Sequence, residues 1–151
     1  MGLQFFCVNT EIAENHSNPY DRLYDSSGYR VTLYEPVWIN DNTVQILYGS
    51  ILGKNGDSLP ADFRILSANI IYLTSSFSDS AITNIQNGNL VSEGSSTAAV
   101  YTSKDSFANK AQISGLSKLN SYSFILEIGY IASSENAILH SNIKIITPEA
   151  E

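Results

Sequence analysis

Apolar and polar residues alternate along most of the chain after residue 36, and this pattern predicts β-strands. The longest alternating run covers residues 121–131. Five large apolar side chains share one face of that run at a period of two residues: Tyr122, Phe124, Leu126, Ile128 and Tyr130. The opposite face mixes polar with apolar residues, which is typical of a sheet surface that meets solvent or a partner. We therefore expect a central strand with one fully buried face.

Turn-forming residues divide the remaining pattern into shorter strands. Further strands are predicted at residues 36–39, 43–52, 63–74, 97–102, 111–113 and 137–147. The pair Asn87-Gly88 favours a tight turn, so residues 82–85 and 90–91 are predicted to form a short hairpin around it. No segment carries the period of a long helix, and Pro148 ends the last strand because proline cannot donate to a ladder. The pattern indicates an all-β sandwich or barrel.

Residues 1–35 lack this regular alternation. Turn-prone pairs such as Asn18-Pro19 interrupt each short apolar run, which favours an irregular N-terminal arm. Its aromatic side chains are costly to leave in water, so we expect them to pack on the sandwich or on a neighbouring subunit. The predicted partner-contact residues are Phe5, Phe6, Tyr20, Tyr24 and Tyr29. The expected organisation is an arm at residues 1–35, a sandwich at residues 36–148 and a tail at residues 149–151.

Composition and charge narrow the classes of partner. The chain has 151 residues, enough for a single core, but only 15% are charged and the formal net charge is −7. Its eight lysines and arginines are too few to neutralise a run of phosphates, so we expect no nucleic-acid binding, and anionic membranes repel an acidic chain. The N-terminus does not have the pattern of a signal peptide, and the single Cys7 fits a reducing compartment. We expect folding in a cytoplasm without disulfides.

No residue pattern predicts catalysis, a cofactor or a metal centre. His16 and His140 have no partner at a spacing typical of acid–base chemistry, and we expect His140 to be an exposed strand residue. Asp41, Asp57 and Asp62 lie in predicted loops, but the alternating acidic residues of a calcium loop are absent. Turns stabilised by Asx hydrogen bonds are the favoured interpretation. The predicted protein is therefore non-enzymatic and carries no cofactor.

The segment Leu116-Ser117-Lys118-Leu119-Asn120-Ser121-Tyr122 resembles the corner before the penultimate strand of fibronectin type III and related immunoglobulin-like domains. In those domains a leucine stands six residues before a tyrosine, as Leu116 stands before Tyr122 here. The resemblance implies that the tyrosine hydroxyl reaches back to upstream backbone while its ring fills one end of the core. It implies an immunoglobulin-like antiparallel β-sandwich.

A wider pattern resembles small immunoglobulin-like proteins encoded by tailed phages. Its parts are an aromatic strand residue at Tyr48, a turn at Gly56-Asp57, the corner from Leu116 to Tyr122 and a last strand through Ile143-Lys144-Ile145. The phage proteins serve as capsid decorations, neck pieces or tail components. The resemblance covers residues 40–147 and implies a virion protein, assembled in the host cytoplasm, that contacts capsid or other virion subunits in several symmetric copies.

A capsid decoration or cement protein is the preferred interpretation, because a compact sandwich with one adhesive arm is suited to bridging the subunits of a formed shell. A neck or tail component of the virion is the second interpretation. A carbohydrate-binding module or adhesin domain is an alternative from another class, since tyrosine and tryptophan on a sheet face can stack on sugars. Trp38 stands between Val37 and Ile39 and is more consistent with a core position.

Overall fold

The computed structural model describes residues 28–53, 58–100 and 109–148. Within these ranges the chain forms two antiparallel sheets and one short helix. The elements are β1 (Val37–Asn40), β2 (Thr43–Tyr48), β3 (Arg64–Thr74), α1 (Asp79–Gln86), β4 (Ser95–Ala98), β5 (Asn109–Ile113), β6 (Tyr122–Ala132), β7 (Glu135–His140) and β8 (Lys144–Ile146). The predicted all-β sandwich is confirmed, whereas its immunoglobulin-like character stays a prediction.

The small sheet has the strand order β1-β2-β5. Its central strand β2 alternates as predicted, and Val44, Ile46 and Tyr48 are fully buried in the core. The antiparallel register places Trp38 of β1 opposite Val44 and Ala111 of β5 opposite Ile46. The inner face of this sheet is therefore apolar across all three of its strands.

The large sheet has the strand order β4-β3-β6-β7, and β8 also pairs with β6. The five side chains predicted to share the buried face of β6 all belong to the core between the sheets. A register shift between Ile65 and Ser67 marks a bulge in β3, where Gly129 lies opposite Ser67. A Cβ at Gly129 would lie 2.7 Å from Ser67 Oγ, so the glycine permits this close approach.

Residues 29–35 belong to the sandwich and not to an arm. Tyr29, Val31 and Leu33 are 9%, 1% and 0% exposed and lie in the main core. The backbone of residues 30–34 pairs with residues 47–52 beside β2. The predicted boundary at residue 36 is therefore too late, because these three alternating side chains already follow the strand period although turn residues precede them.

A short helix replaces the hairpin predicted around Asn87-Gly88. Helix α1 begins after Ser78, whose Oγ accepts a hydrogen bond from Ala81 N at 3.1 Å, and Asn87 is its C-cap. Gly88 follows with a φ of 74°, the left-handed conformation that commonly ends helices. The Asn-Gly pair therefore ends a helix here, and the helix is too short to show a clear period in the sequence.

Helix α1 covers the outer face of the large sheet. A second apolar cluster forms between them from Ile71, Phe77, Ala81, Ile85, Ile125 and Ile143. Ala81 and Ile85 are four residues apart and lie on one side of α1, and Phe77 packs beside them from just before the N-cap. The face of β6 that was predicted to meet solvent or a partner is therefore largely buried by a helix of the same chain.

Polar contacts join the two sheets. The Asn142 side chain accepts a hydrogen bond from Leu33 N at 2.9 Å and donates one to Leu33 O at 3.0 Å. The Tyr48 hydroxyl donates to Val100 O and accepts from Val100 N, both at 2.8 Å. Burial raises the pKa of Tyr48, and the hydrogen bond with Val100 opposes that effect only in part. These contacts fix the small sheet relative to the large one.

The Tyr122 hydroxyl reaches back to the segment that precedes β6. It accepts a hydrogen bond from Ser117 N at 2.9 Å and a longer one from Asn120 Nδ2 at 3.4 Å. Leu116 and Tyr122 are both buried in the main core. The Tyr122 ring also meets Trp38 edge to face, with ring centroids 6.2 Å apart. This corner closes the end of the core where β1 and β6 meet.

Candidate functional site

The outer face of the small sheet carries exposed aliphatic side chains. Val37, Ile39 and Leu47 are 48%, 43% and 43% exposed. Val37 lies opposite Gln45, two residues before Leu47, so Val37 and Leu47 point to the same side of the sheet. Trp38 points to the opposite side, where it packs against the core. Val37 and Leu47 therefore form an apolar patch that the described part of the chain leaves exposed to solvent.

The polar neighbours of these side chains add little charge. Gln112 lies opposite Gln45 and donates to its Oε1 from Nε2 at 3.4 Å, and Lys110 lies opposite Leu47. We call Val37, Ile39, Gln45, Leu47, Lys110 and Gln112 the uncovered face. It carries one positive charge and no carboxylate, although the whole chain has a net charge of −7. Exposed aliphatic groups with few charges are typical of the centre of a protein interface.

Strand β1 is held in place from the far end of the chain. Trp38 Nε1 donates to Thr147 O at 3.3 Å, and Lys144 Nζ lies 3.0 Å from Glu35 Oε1. The Trp38 ring is half-buried against the core, as the sequence predicted. These contacts hold β1 in position, so a partner that binds the uncovered face would meet a preformed surface.

The outer face of the large sheet holds a buried acid–histidine pair. Glu127 and His140 lie opposite each other in register, and Glu127 Oε2 is 2.9 Å from His140 Nε2. The same oxygen accepts a hydrogen bond from Val91 N at 2.8 Å. His140 is 0% exposed, so the prediction of an exposed strand residue is wrong. The segment that follows α1, bound through Val91, lies across this part of the sheet, and the sequence pattern of β7 alone could not reveal that cover.

Asp62 orders a turn. Its two carboxylate oxygens accept hydrogen bonds from Ser133 N and Ser134 N, both at 2.8 Å. Ser133 and Ser134 have φ values of 52° and 68°, which the turn between β6 and β7 requires. These hydrogen bonds, that from Ser133 first, hold the pKa of Asp62 below its ordinary value of 3.8. Asp41 is nearly fully exposed and lies 3.6 Å from Lys118 Nζ.

Within residues 28–53, 58–100 and 109–148, no group of three or more histidine, cysteine, aspartate or glutamate side chains could hold a metal ion. Asn42 N donates to Asn40 Oδ1 at 3.0 Å, so the turn after β1 is an Asx turn. The other residues considered for chemistry, Cys7, His16 and Asp57, lie outside the described residues.

The residues predicted to contact a partner do not form a site in the described chain. Tyr29 packs edge to face against Phe63 and Tyr130, with centroids 5.7 Å and 5.6 Å apart, so its assignment as a partner contact is wrong. The other four predicted contacts lie outside the described residues: Phe5, Phe6, Tyr20 and Tyr24. The sequence pattern did not identify the uncovered face, because alternation shows which side chains share a face but not whether another segment covers them.

In comparisons with known proteins, no protein-family model and no curated protein matches the chain. Among the described residues, no helix has the length and apolar character needed to cross a membrane.

Proposed function

We propose that the protein is a non-enzymatic structural component of a tailed-phage virion, and that the uncovered face contacts a neighbouring virion subunit. A capsid decoration or cement protein is the preferred role. The proposal rests on the exposure of Val37 and Leu47 on one sheet face, with Ile39 exposed beside them where the register of β1 shifts. Clusters of exposed apolar side chains are characteristic of protein contacts.

The charge distribution supports a protein partner. The uncovered face has one lysine and no acidic residue, in a chain that is otherwise acidic. Docking there would therefore bury apolar and amide groups without the cost of desolvating a carboxylate. The acidic remainder of the surface disfavours nucleic acid and anionic membrane as partners.

The proposed mechanism is additive and needs no chemical step. Each contact removes apolar surface from water, at about 25 cal/mol per Å². One such contact is weak, but many copies bind at symmetric positions on a shell. The total stabilisation of the shell is therefore large. A decoration protein would stabilise the shell in this way after it has formed.

A neck or tail component remains the second role within the same class, since the same face would serve a ring of subunits. A sugar-binding role would need a platform of exposed aromatic rings. In the described part of the chain, Tyr34 is the one aromatic residue among the exposed large hydrophobic residues. A single ring does not form such a platform, so the sugar-binding role has no supporting observation.

The proposal is tested on particles of a phage that carries the gene for this chain. An antibody raised against the purified protein is applied to purified particles, which are then imaged by electron microscopy. We expect many labelled positions distributed over the head. Label confined to the neck or tail would select the second role, and particles that lack the chain altogether would contradict the virion assignment.

A further inference from the structure

A small polar pocket lies against the outer face of the large sheet, between β3, β4 and the segment that follows α1. Its volume is about 220 Å³. The lining residues are Asn69, Ile71, Val91, Ser92, Glu93, Gly94, Ser95, Ser96 and Glu127. Gly94 has a φ of 90°, and a Cβ there would lie 2.7 Å from Tyr72 O, so this wall of the pocket requires glycine.

The two carboxylates in this pocket are held by neutral donors. Glu93 accepts hydrogen bonds from Ser78 N at 2.9 Å and from Ser78 Oγ at 2.7 Å. Glu127 accepts one from Val91 N at 2.8 Å. No lysine or arginine is among the lining residues. The hydrogen bonds therefore fix the positions of both carboxylates without cancelling their charges.

Glu127 has one oxygen that is left for a ligand. The residue is 9% exposed, and both of its hydrogen bonds, to Val91 and to His140, use Oε2. No described residue donates to Oε1, although the side chain lines the pocket. Oε1 is not among the buried polar atoms that lack a partner, so it keeps accessible surface and can be reached from the pocket.

His140 is the partner of Glu127 within the sheet. Its Nε2 lies 2.9 Å from Glu127 Oε2, and its Nδ1 is buried and has no hydrogen-bond partner among the described residues. This contact holds Glu127 Oε2 against β7 and leaves Oε1 on the side of the pocket.

The geometry points to this pocket as a binding site for an organic cation, a guanidinium or alkylammonium group. The fixed charges of Glu93 and Glu127 would attract the cation, and Glu127 Oε1 would accept one of its N–H groups. The hydroxyls of Ser92 and Ser96 and the amide oxygen of Asn69 offer further acceptors. A divalent metal fits less well, because the described residues offer no third acidic or histidine ligand. The cation could be a side chain of another protein or a small free amine.

The test is an NMR titration of the full-length protein, in which the backbone amide chemical shifts are recorded at each ligand concentration. Ethylguanidinium, butylammonium and calcium are added separately at constant ionic strength. We expect the two organic cations to shift the amides of Val91 to Ser96 in a saturable manner. No saturable shift, or saturation of these amides by calcium alone, would overturn the proposal.

The decisive variant is Glu127→Gln, since the glutamine oxygen can still accept from Val91 N while the charge is lost. Affinity for ethylguanidinium should fall about tenfold or more, because a charged hydrogen bond is removed. Glu135→Gln is the matched control, as Glu135 is an exposed carboxylate of β7 away from the pocket lining. Equal affinity in both variants and the wild type would show that the shifts have another origin.

A second variant keeps Glu127 in place. Ser96→Arg puts a guanidinium on an exposed strand residue that lines the pocket. We expect it to fold and to lose binding of added ethylguanidinium, whereas undiminished binding would contradict the site. A short peptide with one central arginine then distinguishes the sources. Tighter binding than ethylguanidinium would indicate a protein-borne side chain, and equal or weaker binding a free small cation.

Discussion

The outer faces of the two sheets differ in what covers them. On the large sheet, Ile71 and Ile125 are buried beneath helix α1. On the small sheet, Val37 and Leu47 remain nearly half exposed. Both inner faces are largely apolar, so the two sheets differ chiefly on their outer faces. The same strand pattern thus supports the fold on one side of the molecule and leaves a surface for contact on the other.

The connections between strands explain this difference. The link from β3 to β4 is long enough to form α1 and to return along the sheet, whereas β1 and β2 are joined only by the turn at Asp41-Asn42. A tight turn leaves no chain with which to cover the outer face of its own sheet. The turn between β1 and β2 therefore contributes no cover, and among the described residues no other segment buries Val37 or Leu47.

Two isoleucines, one on each sheet, should differ most in how much their truncation lowers the free energy of unfolding. Ile125→Ala should lower the free energy of unfolding by about 3 kcal/mol, because it leaves a cavity beneath α1. Ile39→Ala makes the same change in a strand of the uncovered face and should cost less than about 1 kcal/mol. Urea denaturation measures both values. Equal losses would show that the two outer faces contribute alike to stability, contrary to their difference in burial.

Asn142→Ala tests the hydrogen bonds with Leu33 that connect the two sheets. The change leaves Leu33 N and Leu33 O buried without their partners, so we expect a loss of about 2–3 kcal/mol in unfolding free energy. Asn142→Asp keeps an acceptor for Leu33 N but no donor for Leu33 O, and its loss should differ from that of the alanine. If the alanine variant is as stable as the wild type, these hydrogen bonds do not stabilise the packing of the two sheets.

Tyr48→Phe tests the hydrogen bonds with Val100, the second contact between the sheets, and its effect on stability should depend on pH. Loss of the hydrogen bonds to Val100 should cost about 1–2 kcal/mol near neutral pH. Because the folded state raises the pKa of Tyr48, the unfolded chain loses its proton first above pH 10.0. Wild-type stability from this group is therefore lost as pH rises from 10.0 through the folded pKa, and the gap between wild type and variant should narrow there. Unfolding measured across alkaline pH checks this, and a constant gap would contradict it.

Asp62→Asn should have the smallest effect, since the side chain acts at the exposed end of the large sheet. The folded state lowers the pKa of Asp62, so its contribution is present above the ordinary value of 3.8 and is lost as pH falls through the lower folded pKa. The variant should melt slightly earlier than the wild type at neutral pH and equally in strong acid. A difference that persists in strong acid would exclude the carboxylate as its cause.

The sequence predicted the features that depend on local period. The alternation in β2 and β6 identified both strands and their buried faces, since a side chain changes sides at every residue. The helix was missed because α1 spans only about two turns and ends in Asn87-Gly88, a pair that also favours hairpins. The burial of His140 depends on the segment around Val91, which is distant in sequence from β7. The uncovered face could not be predicted for the same reason, because exposure depends on which segments fold over a strand.

The most direct test of the proposed interface is the number of copies incorporated into phage particles by two charge variants. Leu47→Glu puts a carboxylate into the uncovered face, and Leu66→Glu makes the same change at a similarly exposed leucine of the large sheet. Each variant replaces the native protein, and the copies per particle are counted by quantitative mass spectrometry after both are shown to fold. We expect Leu47→Glu to reduce incorporation at least about tenfold, since a buried unpaired charge costs more than 1.4 kcal/mol, and Leu66→Glu to leave it unchanged. Normal incorporation of Leu47→Glu would contradict the assignment of this face as the contact surface.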